Sequence, residues 1–480
     1  MQKRVYIRDL KDHRGKEVTI KGWVNVRRDQ GKMVFLDIRD FSGLVQCVVL
    51  TGNVEEISQS LLRQGYSGPK EIRTEWVLAI KGKVNKRPDK NINEKVQNGD
   101  IEIEILDIEV LNKAETPPFD ISSDTKEVNE DIRLKYRYLD LRSERMQDNI
   151  RMRHKIIKHV RNSFDKEEFI EIETPILTKS TPEGARDFVV PSRLYKGKFY
   201  ALPQSPQQYK QLFMTGGMEK YFQIARCMRD EDSRGDRQPE FTQLDMEMSF
   251  VEREDVMDVN ERILISIVET LYPNKKIQEK PFPKISYKEA MEKYGTDRPD
   301  FRKDKNDPDL LAFGWVIDFP FFEKVKASDN KQTQGEWTFT HNPFSRPIPE
   351  HMEWLMKKEN LDKITTSQYD VILNGYELGG GSIRNHQDEA LQKVFEILGY
   401  EKESIEADFG HMLQAFKSGT PPHGGIAWGL DRLVMLLQNE QNIREVMAFP
   451  KTGEGKDLMM NAPSEISEKQ LRELHIKVRG

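Results

Sequence analysis

The feature that most restricts how this chain can fold is a strongly charged turn between two strand-like runs. Residues 226–240 contain four arginines and five carboxylates. Charged groups at this density are costly inside a core, so we expect the two runs to pair with one face open to a polar ligand. Arginine forks bind phosphate oxygens in pairs, and the turn therefore indicates a phosphate-rich ligand. The alternative is a solvated outer face of an antiparallel sheet, which needs no function. The predicted polar face carries Gln223, Ala225, Cys227 and Arg229 on the first run and Phe241, Gln243, Asp245 and Glu247 on the second.

Length and composition indicate a large, water-soluble chain. Its 480 residues are enough for two or three domains, with 32% charged and 37% apolar residues. No apolar run approaches a membrane span, and the N-terminal residues lack a secretory signal, so we expect a cytoplasmic protein without a membrane partner. Cys47 and Cys227 fit neither a disulfide framework nor a zinc site. The net charge of −5 argues against unspecific binding of nucleic acid such as DNA.

The N-terminal part predicts a small β-barrel followed by a linker and one large α+β domain. Five strands with a helix between the third and fourth fit an OB barrel, which commonly binds nucleic acid. We predict this barrel at residues 1–111, a linker at 112–131 around two consecutive prolines, and the α+β domain at 132–480. The predicted barrel strands are Val18–Val26, Met33–Ile38, Leu44–Leu50, Trp76–Val84 and Ile101–Leu111, with a helix at Val54–Gln64. In the α+β domain we predict helices at Met146–Glu168, Gln207–Met214, Asp255–Leu271 and Glu350–Lys358, a strand at Phe169–Leu177 and helical character in the last thirty residues.

A second group of candidate residues surrounds the Asn-Gly pair at 374–375, which strongly favours a two-residue hairpin turn. In that register Ile372 lies opposite Glu377, and Asp370 lies diagonal to Glu377 on the same face. Two adjacent carboxylates repel each other unless a cation lies between them, so we predict that Asp370 and Glu377 bind Mg²⁺. The glycines at 379–381 would let a nucleotide approach the backbone. The alternative is a glycine-rich bulge with unrelated surface acids.

A third group lies where a small-residue strand passes into an apolar helix, at residues 424–437. Arg432 falls near the start of this helix, where the helix dipole also favours anions. Arg229 and Arg432 could together hold a polyphosphate, and with the predicted magnesium pair they indicate ATP. A Walker-type glycine loop is absent from the sequence, so arginines and a metal ion would have to hold the nucleotide. The alternative is a surface Arg432 paired with Asp431. His341 and His423 are predicted in turns near this site, without metal-ligand spacing.

One aromatic residue of the predicted barrel points away from its core. Val34, Leu36 and Ile38 alternate inward, so Phe35 points outward beside Arg27 and Arg28. An exposed aromatic ring next to arginines is a platform for stacking bases. Gln46 on a neighbouring strand could bind a base edge. The alternative is a single surface phenylalanine without a function.

Together these residues resemble the class II aminoacyl-tRNA synthetases, and among them the aspartyl-tRNA synthetases of bacterial type. The resemblance implies a catalytic domain built on an antiparallel sheet flanked by helices, and a homodimer. The matching strings are motif 1 near 169–178, motif 2 near 222–250, motif 3 near 424–437, a flipping loop at 181–187 and an amino-acid pocket at 204–210. The bacterial family usually has a large insertion between motifs 2 and 3, which looks absent here because only a short stretch joins Asp300 to His341. Asn342 stands where the family often has a second histidine.

The resemblance implies ATP-dependent attachment of L-aspartate to tRNA(Asp) through an aspartyl-adenylate. Arg229 would bind the α-phosphate and Arg432 the γ-phosphate, and these two with Glu377 are the predicted catalytic residues. The implied ATP contacts are Arg229, Glu231, Gln238, Phe241, Glu377 and Arg432. The implied aspartate contacts are Glu183, Ser205, Gln207, Lys210, Asp245, His341 and Arg384. The implied anticodon contacts are Arg28, Phe35, Gln46, Arg87 and Glu102, and the implied metal ligands are Asp370 and Glu377.

Three alternatives stay open beside this interpretation. The enzyme could also aspartylate tRNA(Asn), since Gln30 lies where the family tunes acceptance of a second tRNA. An asparaginyl- or lysyl-tRNA synthetase would share the architecture, but Lys210 and Arg384 suit an anionic side chain better. A non-catalytic tRNA-binding relative would lack an arginine clamp or a metal carboxylate, and this sequence has both.

Overall fold

The computed structural model of the protein describes residues 3–31, 33–94, 96–180, 184–232, 234–325 and 335–479. The chain forms two compact units. The first consists of Met1–Asn129 and Tyr138–Glu144, and the second of Glu130–Arg137 and Arg145–Gly480. None of the helices in the described ranges combines the length and apolar character that a membrane crossing requires.

The first unit is a closed five-stranded barrel with the strand order β1-β2-β3-β5-β4. Its elements are β1 (Glu17–Gln30), β2 (Met33–Asp40), β3 (Gly43–Val49), α1 (Val54–Arg63), β4 (Val77–Lys86) and β5 (Ile101–Asn112). The strands pair antiparallel except β3 with β5, which are parallel. In β2 every second side chain is buried, so Val34, Leu36 and Ile38 fill the barrel. The prediction of five strands with a helix after the third is confirmed.

Residues 138–144 belong to the first unit although they follow residues 130–137 of the second. Arg142 of this segment donates a hydrogen bond to the buried Glu75 at 2.6 Å. Glu75 also accepts two hydrogen bonds from Arg39, at 2.7 and 2.5 Å. The chain therefore passes between the two units three times, after residues 129, 137 and 144.

The second unit is built on an eight-stranded sheet with the order β12-β14-β17-β18-β19-β10-β9-β6. The five central pairings are antiparallel and the outermost pairing on each side is parallel. Its strands, with those of three two-stranded sheets, are β6 (Ile170–Glu171), β7 (Val189–Pro191), β8 (Phe199–Ala201), β9 (Lys220–Met228), β10 (Glu240–Ser249), β11 (Lys276–Ile277), β12 (Lys284–Ser286), β13 (Leu310–Leu311), β14 (Phe313–Ile317), β15 (Phe322–Lys324), β16 (Trp337–Phe339), β17 (Gln368–Leu373), β18 (Tyr376–Ile383) and β19 (His423–Gly429). The architecture is α+β, as predicted.

The remaining helices of the described chain follow the barrel in sequence. They are α2 (Glu130–Lys135), α3 (Arg137–Asp140), α4 (Glu144–Lys166), α5 (Gln207–Thr215), α6 (Arg253–Leu271), α7 (Tyr287–Tyr294), α8 (Met352–Lys357), α9 (Asp388–Ile397), α10 (Lys402–Phe416), α11 (Leu430–Leu437) and α12 (Glu468–Glu473). The main core forms where α4, α6 and α11 pack on the sheet, as Phe164, Leu264 and Leu433 do against Leu244 and Trp428. The opposite face of the central strands is polar.

Two predicted elements are wrong in extent. The strand predicted at Phe169–Leu177 is only Ile170–Glu171, because it pairs with β9 at the sheet edge over two residues and the chain then reaches Pro175, which has no N–H to donate. The last thirty residues contain the six-residue α12 instead of extended helix, since charged composition without an apolar stripe does not stabilise a helix. The helices predicted near Met146–Glu168, Gln207–Met214 and Asp255–Leu271 are α4, α5 and α6, and α8 lies within Glu350–Lys358.

Candidate active site

The polar face of the central strands lines a cavity of about 710 Å³. Because side chains alternate along a strand, Gln243 and Asp245 of β10 face the cavity while Leu244 and Met246 pack in the core. Glu183, a predicted aspartate contact, lies outside the described residues. The cavity lining includes all the other residues predicted for ATP, aspartate and metal: Ser205, Gln207, Lys210, Arg229, Glu231, Gln238, Phe241, Asp245, His341, Asp370, Glu377, Arg384 and Arg432.

Two arginines reach this cavity from different parts of the chain. Arg229 follows β9, and its guanidinium carbon lies 5.1 Å from the centre of the Phe241 ring. Arg432, in the first turn of α11, donates to the backbone oxygen of Glu377 and to Asp236 Oδ2 at 3.0 Å. Its buried Nε has no hydrogen-bond partner within the described ranges, which leaves a donor for an anionic ligand. The alternative pairing with Asp431 is wrong, because Asp431 instead accepts hydrogen bonds from Arg153 and from the Thr242 N–H.

The predicted carboxylate pair comes together across one glycine. Asn374 and Gly375 have φ values of 50° and 84°, as a two-residue hairpin turn requires, and Ile372 is opposite Glu377. A Cβ atom on Gly380 would lie 2.7 Å from Asp370 Oδ1, which would have to move, and 3.7 Å from Glu377 Oε1, so both carboxylates face the space beside this glycine. Burial and the charge of Glu377 raise the pKa of Asp370 well above its usual value.

This pair fits a divalent cation. Two close oxygen ligands that destabilise each other when ionised are stabilised when a cation lies between them. Groups of three or more potential metal-binding side chains do not occur among the residues that the structure describes. A cation here would therefore need further oxygen ligands from a bound molecule or water, as Mg²⁺ commonly has.

The base of the cavity is a buried network of two cations and two anions. Arg384 donates both arms of its fork to Glu247, at 2.7 and 3.0 Å. Lys210 lies 2.8 Å from Asp245 Oδ2 and 3.3 Å from Glu247 Oε2. All four side chains are at most 3% exposed. Gly425, opposite Glu247 in the sheet, leaves room for it, because a Cβ atom there would clash with Glu247 Oε2.

The pKa values of the two carboxylates in this network are shifted in opposite directions. Burial alone would raise the pKa of Glu247, but the charges of Arg384 and Lys210 overcome it and lower that pKa to about 2. Burial and the charge of Glu247 raise the pKa of Asp245, although the charges of Lys210 and Arg384 oppose this shift. Asp245 Oδ1 is buried and accepts no hydrogen bond from the described part of the chain. The base of the cavity therefore offers two fixed cations and one free carboxylate oxygen.

Glu247 is the main residue that the sequence interpretation missed. The sequence pattern puts Glu247 on the polar face of the second run, because the alternation of Gln243, Asp245 and Glu247 directs all three to one side, but it indicates no role for this residue. His423 was predicted in a turn near the site. It is instead the fully buried first residue of β19, and burial lowers its pKa to about 4.

The remaining predicted residues form the walls. The Gln207 N–H donates to Ser205 Oγ at 3.3 Å at the start of α5. His341 lies edge-on to Phe319, with ring centres 4.6 Å apart. Glu231 accepts a hydrogen bond from Arg237 at 3.3 Å, and both residues line the cavity.

The predicted anticodon residues form one row on the outside of the barrel. Arg28 donates to Gln46 at 3.2 Å, and Gln46 donates to Glu102 at 3.2 Å. Arg87 Nε lies 3.9 Å from Glu102 Oε2, and the partly exposed Phe35 is opposite Arg28 in the β1–β2 register. Arg28 also forms two hydrogen bonds with Asp37, at 2.8 and 2.9 Å, a partner that the sequence interpretation missed.

Comparison with known proteins matches both units. Residues 129–453 match the family model of class II tRNA synthetases (D, K and N), and residues 18–111 match that of the OB-fold nucleic acid binding domain. The chain is 39% identical over 589 positions to an aspartate–tRNA ligase of Macrococcus caseolyticus, covering 97% of this chain and 96% of the relative. It is 41% identical over 590 positions to an aspartate–tRNA(Asp/Asn) ligase of Natranaerobius thermophilus, covering 96% and 97%.

The fold also matches a solved structure. Asparaginyl-tRNA synthetase from Pyrococcus horikoshii, complexed with asparaginyl-adenylate, superposes with a TM-score of 0.72 at 23% identity, covering 94% of this chain and 99% of that one. Both curated alignments are longer than the 480 residues of this chain, so more than about 100 aligned positions have no residue here.

Proposed function

Because the chain belongs to the class II tRNA synthetases of the aspartate, lysine and asparagine group, we propose that it attaches L-aspartate to tRNA(Asp) at the expense of ATP. The observation that carries this choice of amino acid is the base of the cavity, where Lys210 and Arg384 are held by Asp245 and Glu247. Two buried cations suit the side-chain carboxylate of aspartate, and neither asparagine nor lysine would supply that negative charge.

In the first step the α-carboxylate oxygen of aspartate attacks the α-phosphorus of ATP. A new P–O bond forms, the bond to the bridging oxygen breaks, and pyrophosphate leaves. Arg229 binds the α-phosphate and Arg432 the γ-phosphate, while Phe241 stacks on adenine and Glu231 contacts it. The position of Arg229 beside Phe241 supports these roles, as does the Arg432 Nε, which has no hydrogen-bond partner among the described residues. The reaction is accelerated by positioning and charge neutralisation, without a protein nucleophile.

Asp370 and Glu377 are the proposed ligands of Mg²⁺, which supplies charge neutralisation for the phosphates when it is bound. Their approach across Gly380 and the raised pKa of Asp370 support this assignment. Glu377 has a double role, since its backbone oxygen also accepts a hydrogen bond from Arg432. The proposed metal ligand Glu377 and the proposed phosphate-binding residue Arg432 are therefore held together near the start of β18.

The side-chain carboxylate of the substrate aspartate is proposed to contact Lys210 and Arg384. The α-ammonium group of the same aspartate is proposed to contact Asp245 Oδ1. The buried Oδ1 atom without a hydrogen-bond donor in the described residues supports the second contact. Further contacts are proposed for Ser205, Gln207, His341 and Glu183, with Gln238 as an ATP contact that closes over the substrate. In the second step a terminal ribose hydroxyl of the tRNA attacks the aspartyl carbonyl carbon, and AMP leaves.

The barrel is proposed to bind the anticodon through Arg28, Phe35, Gln46, Arg87 and Glu102. Their arrangement as one hydrogen-bonded row beside a partly exposed ring supports base stacking and edge recognition. The location proposed for this activity is the cytoplasm, where the tRNA substrate is found, and neither membrane nor DNA is a proposed partner.

A second copy of the chain is the proposed partner of the β7–β8 hairpin. Large apolar side chains are exposed on and beside it: Phe188, Val189, Val190, Leu194, Tyr195, Phe199 and Tyr200. Exposed apolar groups at this density usually mark a protein interface. Sedimentation of the purified protein would test the homodimer.

Pyrophosphate exchange tests the activity and the choice of amino acid. Exchange between ATP and labelled pyrophosphate should depend on aspartate and not on asparagine or lysine. Arg384→Leu should abolish it, whereas Arg161→Leu, which removes a surface pair with Glu171, should not. Exchange stimulated by lysine or asparagine instead would contradict the proposal, and failure to bind ATP with intact tRNA binding would indicate a non-catalytic relative.

Charging of tRNA(Asn) is a second candidate activity of the same site. The observation in its favour is the 41% identity to a relative named for both tRNAs. Charging assays with transcripts of tRNA(Asp) and tRNA(Asn) separate the two activities. Product on tRNA(Asp) alone would exclude the second.

A further inference from the structure

The segment of residues 440–451, which we call the support segment, follows α11 and lies against the loop of residues 234–238. The Ile443 N–H donates to the backbone oxygen of Gly235 at 3.0 Å. The Lys451 N–H donates to Gln238 Oε1 at 2.9 Å. Arg444 donates to the backbone oxygen of Arg234 at 3.5 Å. The support segment therefore fixes both ends of this loop, mostly through its own backbone.

This loop carries two groups of the cavity. Gln238 is 5% exposed, and because Lys451 occupies its Oε1, its Nε2 is the group left to bind a ligand. That nitrogen is buried and has no hydrogen-bond partner among the residues described. Asp236 accepts a hydrogen bond from Arg432 Nη2 at 3.0 Å and so helps to orient that guanidinium. A shift of the loop would move both groups.

On its other side the support segment is held by arginines from the start of the second unit. Arg137, 2% exposed, donates to the backbone oxygens of Arg444, Met447 and Ala448 at 2.6, 2.7 and 3.0 Å. Arg133 donates both arms of its fork to Glu445, each at 2.9 Å. Burial alone would raise the pKa of Glu445, but the hydrogen bonds and charges of Arg133 and Arg145 lower it to about 2.

The contacts of Arg137 depend on its shape as well as its charge. Three carbonyl oxygens from one irregular stretch are satisfied by one planar guanidinium with donors in fixed directions. A lysine would keep the charge but could not reach all three with good geometry. Carbonyls that lose their donor while buried are costly, so the support segment would relax to recover partners.

We propose that Arg137 is a positioning residue for ATP binding, which acts through the support segment on the Gln238 amide and on Asp236 and Arg432. Arg137 is not among the residues that line the cavity. This inference rests on the proposed function, in which Gln238 and Arg432 bind ATP. The role proposed for Arg137 concerns the part of the cavity that binds ATP, around Gln238 and Arg432, which we call the nucleotide half. The base of the cavity, with Lys210 and Arg384, lies outside this role.

The test compares Arg137→Lys with the unchanged protein in aspartate-dependent pyrophosphate exchange. We expect the KM for ATP to rise roughly tenfold, as for loss of a buried hydrogen-bonded group, while the KM for aspartate and kcat stay within about twofold. Arg253→Lys is the matched control, since Arg253 also uses its fork on acidic partners in the same unit but is not bonded to the support segment. A purely structural role of Arg137 would lower the active fraction and kcat and leave the KM for ATP unchanged, which would overturn the inference.

A second pair of variants isolates the last step of the chain of contacts. Lys451→Pro and Lys451→Ala both remove the ammonium group that lies 3.7 Å from Glu240, but only the proline also removes the N–H that orients Gln238. We expect the first to raise the KM for ATP roughly tenfold and the second to leave it within about twofold. Equal values for both would overturn the inference.

Calorimetric titration with ATP keeps the two proposals apart. If the unchanged protein binds ATP but gives no aspartate-dependent exchange, the proposed function fails, while the affinities of Arg137→Lys and Lys451→Pro for ATP still test the positioning role. Unchanged affinity in both variants would overturn it, and weaker affinity in both with normal melting temperature would support it.

Discussion

The base of the cavity and the carboxylate pair above it use buried charge in opposite ways. At the base, Lys210 and Arg384 are balanced by Asp245 and Glu247, so the network is complete before a ligand arrives. Across the hairpin, Asp370 and Glu377 are two like charges, and the charge of Glu377 adds to burial in raising the pKa of Asp370. The first arrangement presents a rigid recognition surface. The second stores repulsion that binding of a cation relieves.

Glu247→Gln should have the largest effect, because it removes the anion that both buried cations share. We expect the free energy of unfolding to fall by about 3 kcal/mol, as when one partner of a buried ion pair is lost. Aspartate-dependent exchange should fall by at least about 100-fold, since Arg384 loses the carboxylate that orients its guanidinium. Urea denaturation and pyrophosphate exchange measure the two effects. Glu353→Gln, which breaks an exposed pair with Lys357, is the control and should change neither.

Asp370→Asn should move stability and activity in opposite directions. The uncharged amide removes the repulsion with Glu377, so the ligand-free protein should become more stable. Exchange should fall by about 100-fold, because an important electrostatic contact in the nucleotide half is lost. Millimolar Mg²⁺ with ATP should stabilise the unchanged protein by about 1–3 kcal/mol and the variant by much less. Lower stability of the ligand-free variant in urea would contradict the contrast between the two regions.

The pH dependence of stability should show the same contrast with the smallest effects. The pKa of Glu247 is lowered to about 2, so its contribution is present above about pH 4.5 and is lost as the pH falls from there towards 2. The pKa of Asp370 is raised, so its contribution is present at low pH and is lost as the pH rises above about 4 and through the raised value. The difference between the unchanged protein and Asp370→Asn, measured by urea denaturation from pH 3 to 8, should therefore grow as the pH rises. A constant difference would refute this account.

Much of the fold follows from local patterns in the sequence. Alternating apolar residues predict the five barrel strands, because a barrel has one inner face throughout. The Asn-Gly pair predicts the register that opposes Ile372 to Glu377, because few residues tolerate the dihedral angles of that turn. The prediction of a strand at Phe169–Leu177 is wrong in extent, because the length of this strand depends on its pairing with β9. The local sequence does not contain that partner.

The candidate site likewise has some features that follow from local sequence and others that depend on distant partners. Predicted residues for both substrates line one cavity, since glycines, arginines and carboxylates at strand ends suit few other purposes. The choice of partner within the cavity was not predictable. Arg432 pairs with Asp236 instead of the adjacent Asp431, because the direction of α11 turns Asp431 towards Arg153. Glu247 and the support segment were missed because their importance depends on groups more than a hundred residues away in the chain.

The triple passage of the chain between its two units has a consequence for limited proteolysis. Residues 138–144 belong to the first unit through contacts such as Arg142 with Glu75, although they continue directly into α4 of the second. A protease that cuts once between residues 112 and 124 would leave a nicked molecule whose N-terminal fragment is still bound to residues 138–144. The two fragments should therefore co-elute in native chromatography and separate only in denaturant.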